Sequence, residues 1–267
     1  MSNRIDEKFA HLRKDGSKAL IAYIAAGDPD LKTTEALAVA FEKAGVDILE
    51  LGVPFSDPLA DGVVNQLAAA RALASGTTVR GVLECVAAIR QASQLPIVLY
   101  TYMNPIFRYG FDDFHRDADA SGVDGLLILD LPPEEEIEKY SGASVGAMKR
   151  IRLVAPTTPP ERIARITKHA SGFVYYVSRE GVTGERAEIA SSLPERIAAI
   201  RAATPLPIAV GFGITTAAHV REVARHADAV VVGSAIVKRV AEHGKSGQLI
   251  ETLSAFVRPL AEATKSA

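Results

Sequence analysis

The sequence contains eight short apolar runs, separated by segments with the polar and apolar spacing of helices. They read ALIAYIA (19–25), VDILEL (46–51), PIVLY (96–100), GLLILD (125–130), RIRLVAP (150–156), GFVYYV (172–177), LPIAVGF (206–212) and DAVVVG (228–233). Apolar strands that alternate with helices are typical of parallel sheet, because crossover helices cover its faces. Eight such units within 267 residues predict an α/β fold, a closed (β/α)8 or TIM barrel, as a single domain over residues 1–267.

The segments between the strands distinguish this barrel from an open, doubly wound sheet. An open sheet usually has fewer strands and carries a GxGxxG fingerprint after its first strand, whereas this chain has AAGDPD there. The stretch ADGVVNQLAAARALASG (60–76) predicts an additional helix ahead of the regular one in TVRGVLECVAAIRQ (78–91). We also expect extra helices at the N-terminus and near strand eight, where the C-terminal residues follow.

Charge and composition exclude several other classes of protein. The formal net charge of −2 gives no electrostatic reason to expect nucleic acid or an anionic membrane as a partner. No apolar run approaches the roughly 20 residues that cross a bilayer, and the charged N-terminal segment lacks a signal-peptide core. Cys85 is the only cysteine, which excludes an internal disulfide and a cysteine-based metal cluster. We therefore expect a cytoplasmic protein without a metal.

Glycines at the ends of the last two strands predict a phosphate site. Strand seven ends in VGFGI (210–214), and strand eight continues into VVGSAIVKRV (231–240). Loops seven and eight and a short helix form the usual phosphate site of the (β/α)8 barrel, where free amides at the helix N-terminus bind the anion. The alternative is that Gly211, Gly213 and Gly233 serve only as turn residues.

The segment ELGVPFSDPLADG (50–62) places three carboxylates at the end of a buried strand and in the loop after it. Glu50 shares a strand face with Ile48, so it points into the barrel mouth if its neighbouring leucines meet the outer helices. A carboxyl group in apolar surroundings tends toward a raised pKa, as a general acid requires. The alternative is an ion pair or a position at the barrel floor. The prolines of the loop could bring Asp61 over the same mouth, with Asp57 as a capping or interface residue.

Five motifs taken together resemble the alpha subunit family of tryptophan synthase. They are AGDP (26–29), ELGVPFSDPLADG, YYVSREGVTG (175–184), GFGI (211–214) and GSAIV (233–237), in the family's order and spacing. The resemblance implies a barrel enzyme of tryptophan biosynthesis that cleaves indole-3-glycerol phosphate to indole and glyceraldehyde 3-phosphate. It also implies an α2β2 complex with a beta subunit that carries pyridoxal phosphate, and no cofactor in this chain.

The resemblance also assigns roles to individual residues. Glu50 matches the catalytic glutamate, which would protonate ring carbon 3 and then accept the side-chain hydroxyl proton. Asp61 matches the catalytic aspartate, which would hold the ring N–H and stabilise its positive charge. The segment SREGVTGERAE (178–188) would form a lid, in which Thr183 meets Asp61 and Arg179 is a lid or interface residue.

The remaining predicted residues bind the two ends of the substrate. Those at the phosphate would be Gly184, Gly211, Gly213, Gly233 and Ser234, and those around the indole would be Tyr23, Tyr100, Leu127 and Phe212. Tyr175 would be a pocket residue beside the catalytic pair, or alternatively an aromatic residue that fills the core. The chain departs from a common form of the family, which has Phe and Leu where Tyr23 and Tyr100 stand, and often Pro in place of Val63. These differences concern the polarity of the pocket and the stiffness of the loop.

Three other functions are compatible with the sequence. A phosphate-binding barrel could be an isomerase or epimerase of sugar phosphates, although these would need different acid–base residues at the strand ends. The chain could instead act chiefly as an allosteric activator of a beta subunit. It could also be a free-standing lyase that releases indole.

Overall fold

Eight parallel strands form one closed barrel in the computed structural model, which describes residues 3–135, 147–177, 186–211 and 213–266. Each strand pairs with the next along the chain, and the first pairs with the last. They are β1 (Ala19–Ala25), β2 (Ile48–Gly52), β3 (Ile97–Thr101), β4 (Gly125–Ile128), β5 (Lys149–Val154), β6 (Val174–Val177), β7 (Ile208–Gly211) and β8 (Ala229–Val232). The predicted (β/α)8 barrel is confirmed.

Helices surround the barrel, and eleven α-helices lie within the described ranges. They are α1 (Arg4–Lys14), α2 (Leu31–Lys43), α3 (Val63–Ala74), α4 (Val79–Arg90), α5 (Met103–Tyr109), α6 (Phe111–Ser121), α7 (Pro160–Lys168), α8 (Arg186–Ala203), α9 (Ala217–Ala224), α10 (Ser234–His243) and α11 (Leu249–Lys265). The extra helices predicted at the N-terminus, after strand two and near strand eight are α1, α3 and the pair α10 and α11. None of these helices is by itself long and apolar enough to cross a membrane, and only α3 and α4 together, bent by 93°, meet that criterion.

Helix α1 closes the floor of the barrel. Its apolar face joins the side chains that fill the barrel interior, and the rings of Phe9 and Phe173 lie 5.8 Å apart between centroids. This inner cluster consists of Ile5, Phe9, Leu12, Ala19, Ile21, Ile48, Val98, Leu127, Ile151, Phe173, Tyr175, Ala209, Ala229 and Val231. Because the amino-terminal end is closed in this way, the open end of the barrel lies at the carboxyl ends of the strands.

The side chains of β2 alternate between the barrel interior and the helix layer, as strand geometry requires. Ile48 belongs to the inner cluster, whereas Leu49 and Leu51 belong to the larger apolar cluster between the strands and the helices. Glu50 therefore shares the inward face with Ile48 and stands nearer the mouth. This confirms the predicted orientation and contradicts the alternative that places Glu50 at the floor.

Aspartates on the floor side connect pairs of strands. Each of three aspartates directly precedes an even-numbered strand and accepts a hydrogen bond from a backbone N–H at the start of the preceding strand. The bonds run from Leu20 to Asp47 (2.9 Å), from Ile97 to Asp124 (2.8 Å) and from Ile208 to Asp228 (2.9 Å). Each aspartate also pairs with a cation, so strand pairing at the floor depends on charged side chains.

The structure differs from the prediction around β4 and α5. Strand four ends at Ile128, two residues earlier than predicted, and the chain turns at 129–130, where the Asp130 carboxylate accepts a hydrogen bond from the backbone N–H of Met103 at 2.7 Å. Helix α5 was not predicted, and it contains Pro105 at its third position. Proline is tolerated in the first turn of a helix, where its missing N–H has no helical partner to lose.

Candidate active site

Glu50 is buried at the barrel mouth with little hydrogen bonding. Only 1% of the residue is exposed, and it lies between Tyr23 of β1 and Val98 of β3 in the strand register. Its Oε1 atom has no hydrogen-bond partner in the described part of the chain. A buried carboxylate normally pairs with a cation or several donors, so this environment favours the neutral carboxylic acid.

Two effects change the acidity of Glu50 in the same direction. Burial removes the carboxyl group from water, and the negative charge of Asp61 further disfavours a second charge nearby; together they raise the pKa of Glu50 to about 8. The side chain therefore holds a proton at neutral pH. It can donate that proton inside a site where water does not compete.

This retained proton predicts a pH-dependent stability. Between the ordinary pKa of 4.5 and the folded value of about 8, the unfolded chain loses the Glu50 proton and the folded chain keeps it. The contribution of Glu50 to the free energy of unfolding should therefore fall as pH rises through this window, by up to about 1.4 kcal/mol per pH unit. Glu50→Gln should gain on the order of 3 kcal/mol relative to the original chain between about pH 5 and pH 8. Urea unfolding at both pH values measures this difference, and parallel pH dependence of the two proteins would contradict it.

Asp61 is held by two phenols from the end of the neighbouring strand. Tyr100 donates its hydroxyl hydrogen to Oδ1 at 2.9 Å, and Tyr102 donates to Oδ2 at 2.8 Å. The backbone on either side is also fixed, because the Ala60 N–H donates to the Tyr102 hydroxyl and the Gln66 side chain donates to the Asp61 carbonyl. The loop after β2 thus carries Asp61 back over the mouth, as predicted.

Tyr102 was not among the predicted site residues. The signal was present, because Tyr100 and Tyr102 are two residues apart and therefore point to the same side of an extended segment. The prediction stopped at Tyr100 because strand three was expected to end there. The strand extends to Thr101, which places Tyr102 at the carboxyl edge, where its ring packs on Phe55 at 5.3 Å between centroids.

Tyrosines surround the two carboxyl groups. The rings of Tyr23 and Tyr100 meet edge to face, with centroids 5.1 Å apart. Burial, followed by the charges of Asp61 and Glu50 among other groups, raises the pKa of Tyr23 well above its usual value. The same causes, with Glu50 ahead of Asp61, raise the pKa of Tyr175. These phenols are therefore neutral and close to both carboxyl groups.

Glycines leave room for these phenols. A Cβ atom at Gly52 would overlap the phenol oxygen of Tyr23, and one at Gly211 would lie 2.6 Å from the phenol oxygen of Tyr175. Gly52 and Gly211 end β2 and β7, so the space that their missing side chains leave opens onto the mouth. Close packing against the two phenols therefore requires glycine at both positions.

The predicted phosphate residues lie at the ends of β7 and β8. Gly213 has φ of +58°, a left-handed conformation that favours glycine, and a Cβ there would meet nothing within 4 Å. Gly233 is the N-cap of α10, and Ser234 is the first residue of that helix. Because the first amides of a helix have no intrahelical acceptor, this end of the mouth offers N–H donors to an anion.

The remaining predicted residues include some that lie outside the described part of the chain. Thr183, Gly184 and Phe212, together with Arg179 in the predicted lid, lie outside the described residues. Leu127 is 1% exposed within the inner cluster and pairs in register with Tyr100 on the neighbouring strand. Asp57 is exposed and accepts a hydrogen bond from Ser56 at 2.6 Å.

The fold and this arrangement of carboxyl groups define the class of (β/α)8-barrel enzymes, whose reacting groups lie at the carboxyl ends of the strands. A family model described as tryptophan synthase alpha chain matches residues 9–265. The chain belongs to the tryptophan synthase alpha chain family. It is accordingly a lyase of tryptophan biosynthesis with the role of an alpha subunit.

Individual relatives and solved structures agree with this assignment. The tryptophan synthase alpha chain of Citrifermentans bemidjiense is 49% identical over 258 residues, covering 97% of this chain and 96% of that protein. That of Opitutus terrae is 50% identical over 264 residues, covering 98% and 99%. The crystal structure of tryptophan synthase subunit alpha from Legionella pneumophila matches with a TM-score of 0.89 at 37% identity, covering 100% of both chains.

Proposed function

We propose that the chain cleaves indole-3-glycerol phosphate to indole and glyceraldehyde 3-phosphate, with Glu50 as general acid and base and Asp61 as the group that stabilises the charged ring. The observation that carries this proposal is the buried Glu50 carboxyl at the mouth, whose pKa of about 8 keeps it protonated beside the negative charge of Asp61. In many active sites with two carboxyl groups, the protonated one acts as the general acid and the ionised one stabilises positive charge.

The chemistry explains why a protonated carboxyl group is needed. Cleavage of the carbon–carbon bond is a retro-aldol step in which the indole ring leaves, and an indole carbanion is a very poor leaving group. If Glu50 first protonates ring carbon 3, the ring becomes a cation that accepts the electron pair of the breaking bond and is released as neutral indole. The hydroxyl on the adjacent side-chain carbon then becomes the aldehyde as its proton passes to the Glu50 carboxylate. The proton donated in the first step is thereby replaced.

Asp61 would act on the nitrogen side of the same ring. Protonation of carbon 3 places a positive charge on the ring nitrogen, and a carboxylate that accepts the ring N–H stabilises that charge most in the transition state. The Asp61 oxygens already accept phenol hydrogens at 2.9 and 2.8 Å. Each carboxylate oxygen has a second lone pair, so the ring N–H can bind while the phenols stay in place.

The other end of the substrate would be held by its phosphate. Gly211, Gly213, Gly233 and Ser234 provide backbone amides and a hydroxyl at the ends of β7 and β8, on the side of the mouth where α10 begins. An anion there benefits from the free amides and the positive dipole end of the helix. Thr183, Gly184 and Phe212 remain predicted members of the site.

A beta subunit is the partner that the family suggests. Several matching solved structures are tryptophan synthase from M. tuberculosis, one of them in an aminoacrylate-bound form. The loop that carries Asp61 and helix α3 after it expose Leu59 (89% exposed), Val63 (68%) and Leu67 (56%), and α5, which begins after Tyr102, exposes Phe107 (73%). An apolar patch of this kind fits a protein surface. We propose that the beta subunit covers this patch in an α2β2 complex. The beta subunit would carry the pyridoxal phosphate, and this chain would need no cofactor. The cytoplasm remains the predicted compartment.

An indole-release assay with and without a cognate beta subunit tests the proposal. We expect slow release by the chain alone and strong stimulation by the partner, because covering the patch beside Asp61 would fix the loop that carries it. Fast release without a partner would indicate a free-standing lyase. Release in neither condition would indicate an activator without its own turnover, and turnover of a sugar phosphate instead would indicate an isomerase or epimerase.

A further inference from the structure

We propose that Tyr100 is a positioning residue, which fixes the Asp61 carboxylate in the orientation that receives the ring N–H. The inference rests on the proposed function and adds to it a residue for which the family resemblance gives no such role. Tyr100 was predicted only as a wall of the indole pocket. The structure instead directs its hydroxyl to Oδ1 of Asp61, at 2.9 Å.

Two donors on different oxygens fix a carboxylate more completely than one. Tyr102, at 2.8 Å, holds Oδ2, and apart from Tyr100 the Oδ1 atom has within the described residues only a long contact of 3.5 Å from the Asn65 side-chain amide. Without Tyr100 the group could therefore turn more freely about its Cβ–Cγ bond. With Tyr100 on Oδ1, that rotation breaks a hydrogen bond to a charged group, which is among the stronger hydrogen bonds in proteins. The plane of the Asp61 carboxylate is then set before substrate arrives.

Tyr100 is well placed for this role because it is itself held rigidly. It belongs to β3, where it pairs in register with Gly52 and Leu127 on the neighbouring strands, and its ring packs edge to face on Tyr23. Asp61, by contrast, lies in the loop between β2 and α3. A hydrogen bond from this rigid strand residue therefore limits the movement of the Asp61 carboxylate, which lies on a loop.

The consequence is kinetic. A carboxylate that is already oriented does not lose rotational freedom during the reaction, so the barrier for protonation of the ring is lower. Removal of the Tyr100 hydroxyl should therefore act mainly on kcat, since the phosphate end of the substrate would be bound as before.

Tyr100→Phe tests this directly, because it removes one oxygen and keeps the ring. We expect kcat for indole release to fall about tenfold, as for loss of a hydrogen bond to a charged group, with KM changed less than about twofold. Tyr100→Leu should lose about as much. The matched control is Tyr109→Phe, which deletes another tyrosine-to-aspartate bond, to Asp117 at 2.7 Å on α6, and should leave kcat unchanged. Full activity of Tyr100→Phe with a loss in Tyr100→Leu would reduce Tyr100 to a packing role and overturn the proposal.

A double-mutant cycle identifies Asp61 as the group through which Tyr100 acts. The probe is a non-cleavable analogue of the protonated ring, a cationic 2-aminobenzimidazolium joined by a saturated three-carbon chain to phosphate, with Kd measured by calorimetry; unlike the neutral substrate, it carries the positive charge that Asp61 stabilises. Tyr100→Phe should weaken binding about fivefold in the original chain and less than about twofold when Asp61→Asn is already present. Equal effects in both backgrounds would overturn the positioning role.

The outcomes for the two proposals are distinct. If Asp61→Asn abolishes indole release and Tyr100→Phe is fully active, only the positioning role of Tyr100 fails. If Asp61→Asn itself remains fully active, the proposed role of Asp61 fails, and the role of Tyr100 fails with it.

Discussion

Glu50→Gln is expected to lower kcat for indole release by about a thousandfold, the range associated with loss of a general acid. Glutamine has nearly the same shape as protonated glutamic acid, so it fits the pocket between Tyr23 and Val98. Its amide cannot protonate ring carbon 3 at neutral pH. The variant should remain folded, because the buried group it replaces carries no charge at that pH and its Oε1 has no hydrogen bond to lose within the described residues.

The measurement compares three proteins: the original chain, Glu50→Gln and Glu84→Gln. Glu84 lies exposed on α4, so its replacement makes the same chemical change away from the mouth and should leave kcat unaltered. Circular dichroism and urea unfolding verify that each protein is folded. Activity of Glu50→Gln within about tenfold of the original chain would remove Glu50 as the proton donor.

Asp124→Asn is expected to lower the free energy of unfolding by about 3 kcal/mol, because it removes the charge from a buried, hydrogen-bonded ion pair. Asp124 is 2% exposed and accepts hydrogen bonds from the Ile97 backbone (2.8 Å), from Arg90 (2.6 Å) and from Arg4 (3.0 Å). Asparagine keeps the size of the side chain and removes its charge. Arg90, itself almost buried, is then left with a neutral group that turns either its oxygen or its NH2 toward the guanidinium.

Asp228→Asn is the matched control, because Asp228 occupies the equivalent position before β8. It accepts the Ile208 N–H at 2.9 Å and pairs with Arg201, but its side chain is 27% exposed and Arg201 is 47% exposed. Solvent screens this pair, and we expect its loss to cost no more than about 1 kcal/mol. Urea titration of both variants gives the comparison, and equal losses would show that burial does not determine the strength of these floor contacts.

The expected effects of Glu50→Gln and Asp124→Asn differ because the two residues lie at opposite ends of the barrel. At the floor, charged groups are buried with partners, and their removal costs stability. At the mouth, Glu50 is buried without a cation, so its ionisation is disfavoured and its raised pKa serves chemistry instead. The expected pH dependence of stability and the expected loss of activity in Glu50→Gln therefore come from the same buried proton.

Much of the barrel could be predicted from local sequence patterns. Apolar runs identify strands because each side of a parallel strand must be covered. The alternation within VDILEL placed Glu50 opposite Leu49 and Leu51, and the structure showed that these leucines face the helices. The predicted boundaries were less accurate, as at Asp130, which lies in a turn and binds the Met103 backbone instead of extending strand four. Such a bond joins residues that are distant in sequence, and local periodicity contains no information about it.

For the site too, the positions of the residues were predicted better than their contacts. Glu50, Asp61, Tyr23, Tyr100 and Tyr175 do meet at the mouth, and the glycines of the last two strands lie where a phosphate site was expected. The contacts that give these residues their properties were not predicted. Tyr102 was missed, and the direction of the Tyr100 hydroxyl toward Asp61 depends on how the loop after β2 returns over β3.

The sequence alone determined the order of strands and helices, the closed barrel and the family motifs, because these follow from side-chain periodicity and residue type along the chain. Only the tertiary structure decided that Glu50 is buried beside the charge of Asp61, and that two phenols bind opposite oxygens of that aspartate. A pKa and a carboxylate orientation depend on distances through space, and those distances are set once the whole barrel has closed.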